Sequence, residues 1–205
     1  MDAKAVEVVT DVARQTEFVG NEGYPILLSR TDLPLLTRLA LTSDGSTTLL
    51  LRALAGTDVW AETVPVPRSS DLHHRTTDIR AVFGREDRIA VRRSRLRDSR
   101  GTMLSENVIT FRDTDRDTLI PADNTPFGLH TRRLGMFDRR RIFRIGVTHD
   151  VFGALPAFSA GRVYEITFST GQQVLVHEVF APDILPVEQS LNDAGVYSQR
   201  LGRCP

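Results

Sequence analysis

Residues 174–182 have the sequence Val-Leu-Val-His-Glu-Val-Phe-Ala-Pro, and this stretch decides the fold because it alternates like a β-strand. On a strand, Glu178 shares one face with three large apolar residues, Val174, Val176 and Phe180. An ionised carboxylate among apolar side chains is costly to bury unless it is paired, protonated or next to a polar cavity. Glu178 is therefore the first candidate for a functional residue.

The strand that contains Glu178 is predicted to be the second half of a β-hairpin. Residues 163–168 have the composition of the preceding strand, and Ser169-Thr170-Gly171-Gln172 has that of the turn between them.

A second hairpin is predicted upstream, where residues 88–97 and 104–111 flank Asp98-Ser99-Arg100-Gly101. These four residues suit a type I turn with Gly101 at a left-handed bulge position. The resulting register predicts Arg92 opposite Val108 and Ser94 opposite Glu106, so that Arg92 and Glu106 share a face.

Arg92 is the second candidate, since its neighbours on that face are small or apolar. A guanidinium in such a place is explained by a carboxylate that it grips with its planar fork. The alternative is an ordinary surface arginine on an edge strand.

The rest of the chain combines short helices and strands. Helices are predicted for residues 3–18 and 33–41, the second with Thr31 or Asp32 as its N-cap and Pro34 in its first turn. After a turn at 43–46, strands are predicted for residues 47–54 and 59–67, and residues 129–144 have the pattern of a short helix followed by a strand.

Composition limits the function classes. The chain has 205 residues and 40% hydrophobic content, which suits one domain, and 26 basic residues balance 26 acidic ones. This balance removes any global electrostatic argument for nucleic acid or an anionic membrane. With a single cysteine, Cys204, and no apolar run of membrane-spanning length, we expect a soluble cytoplasmic protein.

Other candidate sites have weaker support. His73 and His74 are adjacent and lack the spacing of a metal motif, so no metal is predicted. The arginines in 132–144 occur without a DNA-reading motif in a chain whose charges balance, which favours a solvated face or an anion gate over a nucleic-acid surface. No glycine-rich phosphate loop or nucleophile elbow occurs, so we expect neither a nucleotide cofactor nor a hydrolase triad.

Four collinear stretches resemble the chorismate pyruvate-lyase family. They are Arg-Ile-Ala-Val-Arg at 88–92 with its hairpin, Asn-Thr-Pro-Phe-Gly-Leu at 124–129, Arg-Arg-Ile-Phe-Arg-Ile-Gly at 140–146, and His-Glu-Val-Phe-Ala-Pro at 177–182. The resemblance covers residues 88–187, about half of the chain, and is weak around Leu36. It implies an α+β fold with an antiparallel sheet of about six strands and helices on one side. The whole chain, 1–205, would be one such domain, with 1–22 as a peripheral segment.

The resemblance also implies a reaction and a set of site residues. Members of the family eliminate pyruvate from chorismate to give 4-hydroxybenzoate without a cofactor. By position, Arg92 would grip the ring carboxylate. Glu178 would act at the other end of the ring, either as a proton donor to the departing enolpyruvyl oxygen or as a hydrogen-bond partner of the phenol. The remaining substrate-binding residues would be Leu36, Thr125, Phe127, Gly128 and Arg140, with Glu106 orienting Arg92.

Two other functions compete with this one. The same fold serves as the effector-sensing domain of bacterial transcription regulators, although residues 1–70 lack the helix-turn-helix pattern with a basic recognition helix that those proteins carry. A lyase acting on a modified chorismate is the other alternative. We expect a monomer or homodimer whose partners are the small-molecule substrate and product.

Overall fold

The computed structural model describes residues 33–66, 76–85, 88–136, 138–148 and 159–187. The predicted helix at 3–18, the paired histidines His73 and His74, and Cys204 lie outside the described residues.

Six antiparallel strands form one sheet in the order β1-β2-β3-β6-β5-β4. The strands are β1 (Val59–Val64), β2 (Ile89–Asp98), β3 (Met103–Arg112), β4 (Asp138–Thr148), β5 (Ser159–Phe168) and β6 (Gln173–Phe180). The sheet confirms the predicted α+β class.

The helices of the described ranges are short. They are α1 (Leu35–Thr42), α2 (Thr47–Ala55), α3 (Thr76–Phe83), α4 (Arg116–Leu119) and α5 (Phe127–Arg133), with a 3-10 turn at Asp113–Asp115. None of them is long and apolar enough to cross a bilayer.

One face of the sheet, here called the inner face, carries Val174, Val176, Glu178 and Phe180 and is covered by α1, α2 and α5. Leu41 of α1 and Leu51 of α2 are fully buried in one cluster with Phe111 and Phe180 of the sheet. The alternation predicted for β6 is thereby confirmed. Helix α3 lies on the opposite, outer face, where Val82 and Phe83 pack with Phe143 and Leu175.

The hairpin of β5 and β6 has the predicted turn. Gly171 has φ of 91°, and its N–H donates to the carbonyl of Phe168 at 2.9 Å. From Thr167 opposite Gln173 to Arg162 opposite Glu178, the register continues without interruption.

The hairpin of β2 and β3 has the predicted turn but not the predicted register. Gly101 has φ of 85°, and Arg97 lies opposite Met103. The register then shifts by one residue between Leu96 and Arg97, because Leu96 pairs with Ser105. Leu104 is the extra residue of this bulge, and its carbonyl accepts the N–H of Ala181 at 2.9 Å.

The bulge makes two predictions wrong. Arg92 lies opposite Ile109 rather than Val108, and Ser94 lies opposite Asn107 rather than Glu106. A one-residue slip moves every side chain of one strand to the other face, so Glu106 lies on the outer face while Arg92 stays on the inner face.

Residues 47–55 form helix α2, so the predicted strand at 47–54 is wrong. Ser46 is the N-cap, and Gly56, with φ of 65°, ends the helix in the left-handed conformation. The buried residues Thr47, Thr48 and Leu51 have helical spacing. Helix α1 is confirmed but begins at Leu35 with Pro34 as its N-cap, and the predicted caps Thr31 and Asp32 lie outside the described residues.

Candidate functional site

A cavity lies on the inner face, between the sheet and the first turns of α2 and α5. It takes in about 430 Å³ of space not filled by protein atoms, part of which is open solvent at its mouth. Its walls are lined by Ser46, Thr47, Thr48, Ser94, Leu96, Asn107, Ile109, Phe127, Gly128, Arg140, Tyr164, Ile166, Val176 and Glu178.

Glu178 lines this cavity and is only 1% exposed. Its Oε2 accepts hydrogen bonds from Nε of Arg162 at 3.0 Å and from Oγ1 of Thr47 at 3.0 Å. The hydroxyl of Tyr164 lies 3.5 Å from the same oxygen. Of the three ways to bury a carboxylate, the molecule therefore uses pairing.

Arg162 is the partner of Glu178 and is itself 2% exposed. Its Nη2 donates to Oγ1 of Thr47 at 2.7 Å, and its Nη1 reaches the carbonyls of Ala40 at 3.1 Å and Ser43 at 2.6 Å. These carbonyls lie at the C-terminal end of α1, where a cation is favourable because of the helix dipole. One guanidinium thus joins Glu178, the start of α2 and the end of α1.

Tyr164 supplies the aromatic part of the same cluster. Its ring lies under two guanidinium groups, those of Arg162 at 4.8 Å and Arg140 at 5.6 Å from the ring centroid. Burial raises the pKa of the Tyr164 hydroxyl, and the nearby charge of Glu178 raises it further. The phenol therefore remains a hydrogen-bond donor at neutral pH.

Arg92 lies on the inner face but outside the residues that line the cavity. It is 6% exposed, and its Nη2 donates to Oγ1 of Thr63 on β1 at 3.3 Å. Its Nη1 is buried without a hydrogen-bond partner among the described residues. Burial lowers the pKa of Arg92, and the charge of Asp123 acts in the opposite direction. A buried guanidinium with a free N–H group is suited to an added anion.

Glu106 does not contact Arg92, so the predicted orienting role is wrong. Its carboxylate is fully buried on the outer face, where it is bonded to Nε of Arg93 and lies 3.5 Å from Nε of Arg95. The bulge at Leu104 is the physical reason, because it rotates this part of β3 relative to β2.

The other predicted site residues divide into two groups. Phe127, Gly128 and Arg140 line the cavity, and the Phe127 ring packs edge-on against Phe168 at 6.1 Å between centroids. Leu36 and Thr125 do not line it. Leu36 lies in the first turn of α1 with 42% of its surface exposed, and the Thr125 N–H donates to Oδ1 of Asp123 at 2.8 Å.

Sequence reasoning missed Arg162 and Tyr164, although a signal existed. The uninterrupted turn register that places Gln173 opposite Thr167 also places Glu178 opposite Arg162. Ser46, Thr47 and Thr48 had no such signal, because Ser46 was predicted to end a turn and Thr47 and Thr48 were predicted to begin a strand. Only the packing of α2 brings them to the cavity.

Comparisons with known proteins identify no family. The sequence matches no protein-family model and no curated protein. Among solved structures, the chain is similar to a possible transcriptional regulator, YydK, from Bacillus subtilis, with 12% identity and a TM-score of 0.41, over 92% of this chain and 97% of that chain. A likeness at this level supports neither a family nor a function.

Proposed function

We propose that this protein is a cofactor-independent lyase that converts chorismate into 4-hydroxybenzoate and pyruvate. The observation that carries the proposal is a buried carboxylate, Glu178, that lines a small-molecule cavity two strands away from a buried and incompletely paired guanidinium, Arg92. Both side chains lie on the inner face of the sheet.

The two charges suit the two ends of a hydroxylated ring acid. Arg92 has a free N–H group to donate to a ring carboxylate. Glu178, whose Oε2 is paired with Arg162, accepts a hydrogen bond from the hydroxyl on the opposite ring carbon. A carboxylate acceptor serves both the substrate hydroxyl and the product phenol.

The reaction requires little from the protein beyond positioning. The bond between ring carbon C3 and the enolpyruvyl oxygen breaks, and its electron pair goes to that oxygen. The hydrogen on C4 leaves as a proton, and its bonding pair completes the aromatic ring. One proton is added to the methylene carbon of the leaving group, which becomes the methyl group of pyruvate. Holding the ring and excluding water then contribute to the rate.

The ion pair changes the role expected for Glu178. Oε2 of Glu178 already accepts hydrogen bonds from the guanidinium of Arg162 and the hydroxyl of Thr47, an arrangement that suits an acceptor better than a proton donor. Glu178 is therefore assigned here as a hydrogen-bond acceptor for the C4 hydroxyl.

A second function, binding of a ring acid without reaction, is favoured by the same observation. A carboxylate whose partners are already in place, in a cavity lined by further polar side chains, is sufficient for ligand recognition. In that case the cavity holds 4-hydroxybenzoate or a related acid as an effector.

Incubation of purified protein with chorismate, in the presence of a chelator, tests the proposal. We expect 4-hydroxybenzoate and pyruvate in equal amounts, resolved by chromatography, at a rate above the uncatalysed background. If 4-hydroxybenzoate binds by calorimetry but no product forms, the sensing function replaces the lyase.

Arg92→Met tests the carboxylate contact. A charge-assisted hydrogen bond contributes about 1.5–3 kcal/mol, so affinity for 4-hydroxybenzoate is expected to fall roughly 10- to 150-fold. Arg100→Met is the control, since Arg100 lies in the turn of the same hairpin, outside the cavity lining, and its side chain is 76% exposed. Equal affinity for Arg92→Met and the parent protein would exclude Arg92 as the anchor.

A further inference from the structure

The floor of the cavity contains a polar residue to which no role has been assigned, Asn107. A row of directly paired residues crosses the inner face from β1 to β5, namely Thr63, Ser94, Asn107, Glu178 and Arg162. Asn107 is the central member of this row and lines the cavity between Ser94 and Glu178. Beside the row, Leu96, Ile109 and Val176 line the cavity with apolar side chains, and Tyr164 lines it with its ring and hydroxyl.

Asn107 has unused hydrogen-bonding capacity. It is 6% exposed, and its Nδ2 donates to Oγ of Ser105 at 3.0 Å. This bond uses one of the two amide protons, and the second proton and the amide oxygen have no partner among the described residues. A ligand that enters the cavity can supply a partner for these groups of the amide.

The position of Asn107 relative to Glu178 indicates which ligand atom Asn107 contacts. The two residues are directly opposite on adjacent strands, a relation that places Cβ atoms about 4.5–5.5 Å apart. Two polar side chains that leave the sheet side by side suit substituents on neighbouring carbons of one six-membered ring. If Glu178 accepts from the hydroxyl on C4, the neighbouring substituent is the enolpyruvyl ether oxygen on C3.

We infer that Asn107 donates its free amide N–H to the ether oxygen on C3, which carries negative charge as the C3–O bond breaks. This inference rests on the proposed lyase function and adds a group that acts on the leaving oxygen. The amide is a neutral donor, so it stabilises the enolate oxygen without transferring a proton. The proton required by pyruvate is taken up at the methylene carbon, as in the reaction above.

Asn107 also selects the ligand, and this can be measured without turnover. We expect the protein to bind 3,4-dihydroxybenzoate more tightly than 4-hydroxybenzoate, by about two- to tenfold, because the additional hydroxyl meets the free amide. In Asn107→Leu, which has a similar volume and no polar atom, the ratio of the two affinities is expected to fall to about one.

Turnover provides the second measurement. Loss of a donor to a developing oxyanion costs roughly 100-fold in kcat, and we expect Asn107→Leu to show this loss with little change in KM. The double variant Ser105→Ala/Asn107→Leu avoids a buried Ser105 hydroxyl without its partner and is used if the single variant does not fold. Thr110→Val, an isosteric change on the outer face of the same strand, is the control and should behave like the parent.

The outcomes separate the two proposals. In the first outcome, the parent binds both probes and turns over chorismate, and Asn107→Leu has the same affinity ratio and kcat as the parent. This result overturns the role of Asn107 and leaves the lyase function intact. A parent that binds neither probe and makes no product overturns both. The inference is supported if Asn107→Leu has a lower ratio of the two affinities and a lower kcat than the parent, while its melting temperature stays close to that of the control.

Discussion

At the scale of single residues, two buried arginines have different surroundings. Arg162 is bonded to Glu178, Thr47 and the carbonyls at the end of α1. Among the described residues, Arg92 has one hydroxyl partner, Thr63, and its Nη1 has none. Breaking a buried ion pair is expensive because the remaining charge is desolvated without compensation. The first arginine therefore stabilises the site, and the second is available for a ligand.

A double-mutant cycle measures the coupling between Arg162 and Glu178. Glu178→Gln leaves a buried guanidinium without its carboxylate, and we expect the free energy of unfolding to fall by about 3–5 kcal/mol. Arg162→Met should be similarly destabilising because it leaves the carboxylate unpaired. The double variant is expected to lose less than the sum of the single losses.

Urea unfolding of the four proteins provides these free energies. The pair Arg100→Met and Asp98→Asn is a useful reference, because Arg100 is 76% exposed on its side chain and its coupling should be at most about 1 kcal/mol. If the losses in unfolding free energy of the two single variants add up to the loss of the double variant, the contact between Arg162 and Glu178 does not stabilise the protein.

At the scale of elements, the two hairpins show how turn chemistry controls register. Both have a glycine with positive φ at the position that the turn requires, Gly101 at 85° and Gly171 at 91°. In the β5–β6 hairpin the register set by the turn continues to the site and brings Arg162 opposite Glu178. In the β2–β3 hairpin the bulge at Leu104 shifts the register by one residue between the turn and the site.

Gly171→Ala tests the requirement for a left-handed residue in the β5–β6 turn. A side chain at this φ costs roughly 1–2 kcal/mol, so the free energy of unfolding should fall by that amount. Gly45→Ala is the control, since φ of Gly45 is not in the left-handed region and an added Cβ would meet Oγ of Ser43 at an ordinary 3.4 Å. Equal melting temperatures for the two variants would contradict the assigned strain.

At the scale of the whole molecule, buried carboxylates make stability depend on pH. Asp98 is 1% exposed. Burial acts to raise its pKa, but hydrogen bonds from the N–H of Thr102 and from the side chain and N–H of Arg100 outweigh this and lower the pKa below its usual value. A group with a lowered folded pKa stabilises the protein above its unfolded pKa and loses that contribution as the pH falls through the folded pKa.

Asp98→Asn isolates this contribution. Asparagine keeps an oxygen for the two backbone N–H groups but has no charge. We therefore expect the stability difference between parent and variant to be largest at neutral pH and to shrink below about pH 4. Urea midpoints measured for both proteins at several pH values give the difference directly. A difference that grows on acidification would contradict the lowered pKa.

The sequence by itself determined the strands whose alternation is strong and the turns that contain the required glycines. Val174, Val176, Glu178 and Phe180 were assigned correctly to the buried face because a strand has only two faces. The presence of Arg92 on the inner face follows from the same rule. These properties are local, so single-strand patterns are sufficient to predict them.

Only the tertiary structure decided which charges meet. Because of the bulge at Leu104, Glu106 lies on the outer face and contacts Arg93. Because residues 47–55 form a helix, Thr47 contacts Glu178. A bulge and a short helix are each separated from the alternative by small free energies that depend on packing against distant parts of the chain. The local sequence therefore specified the buried groups, and their partners were settled by contacts between residues far apart in the chain.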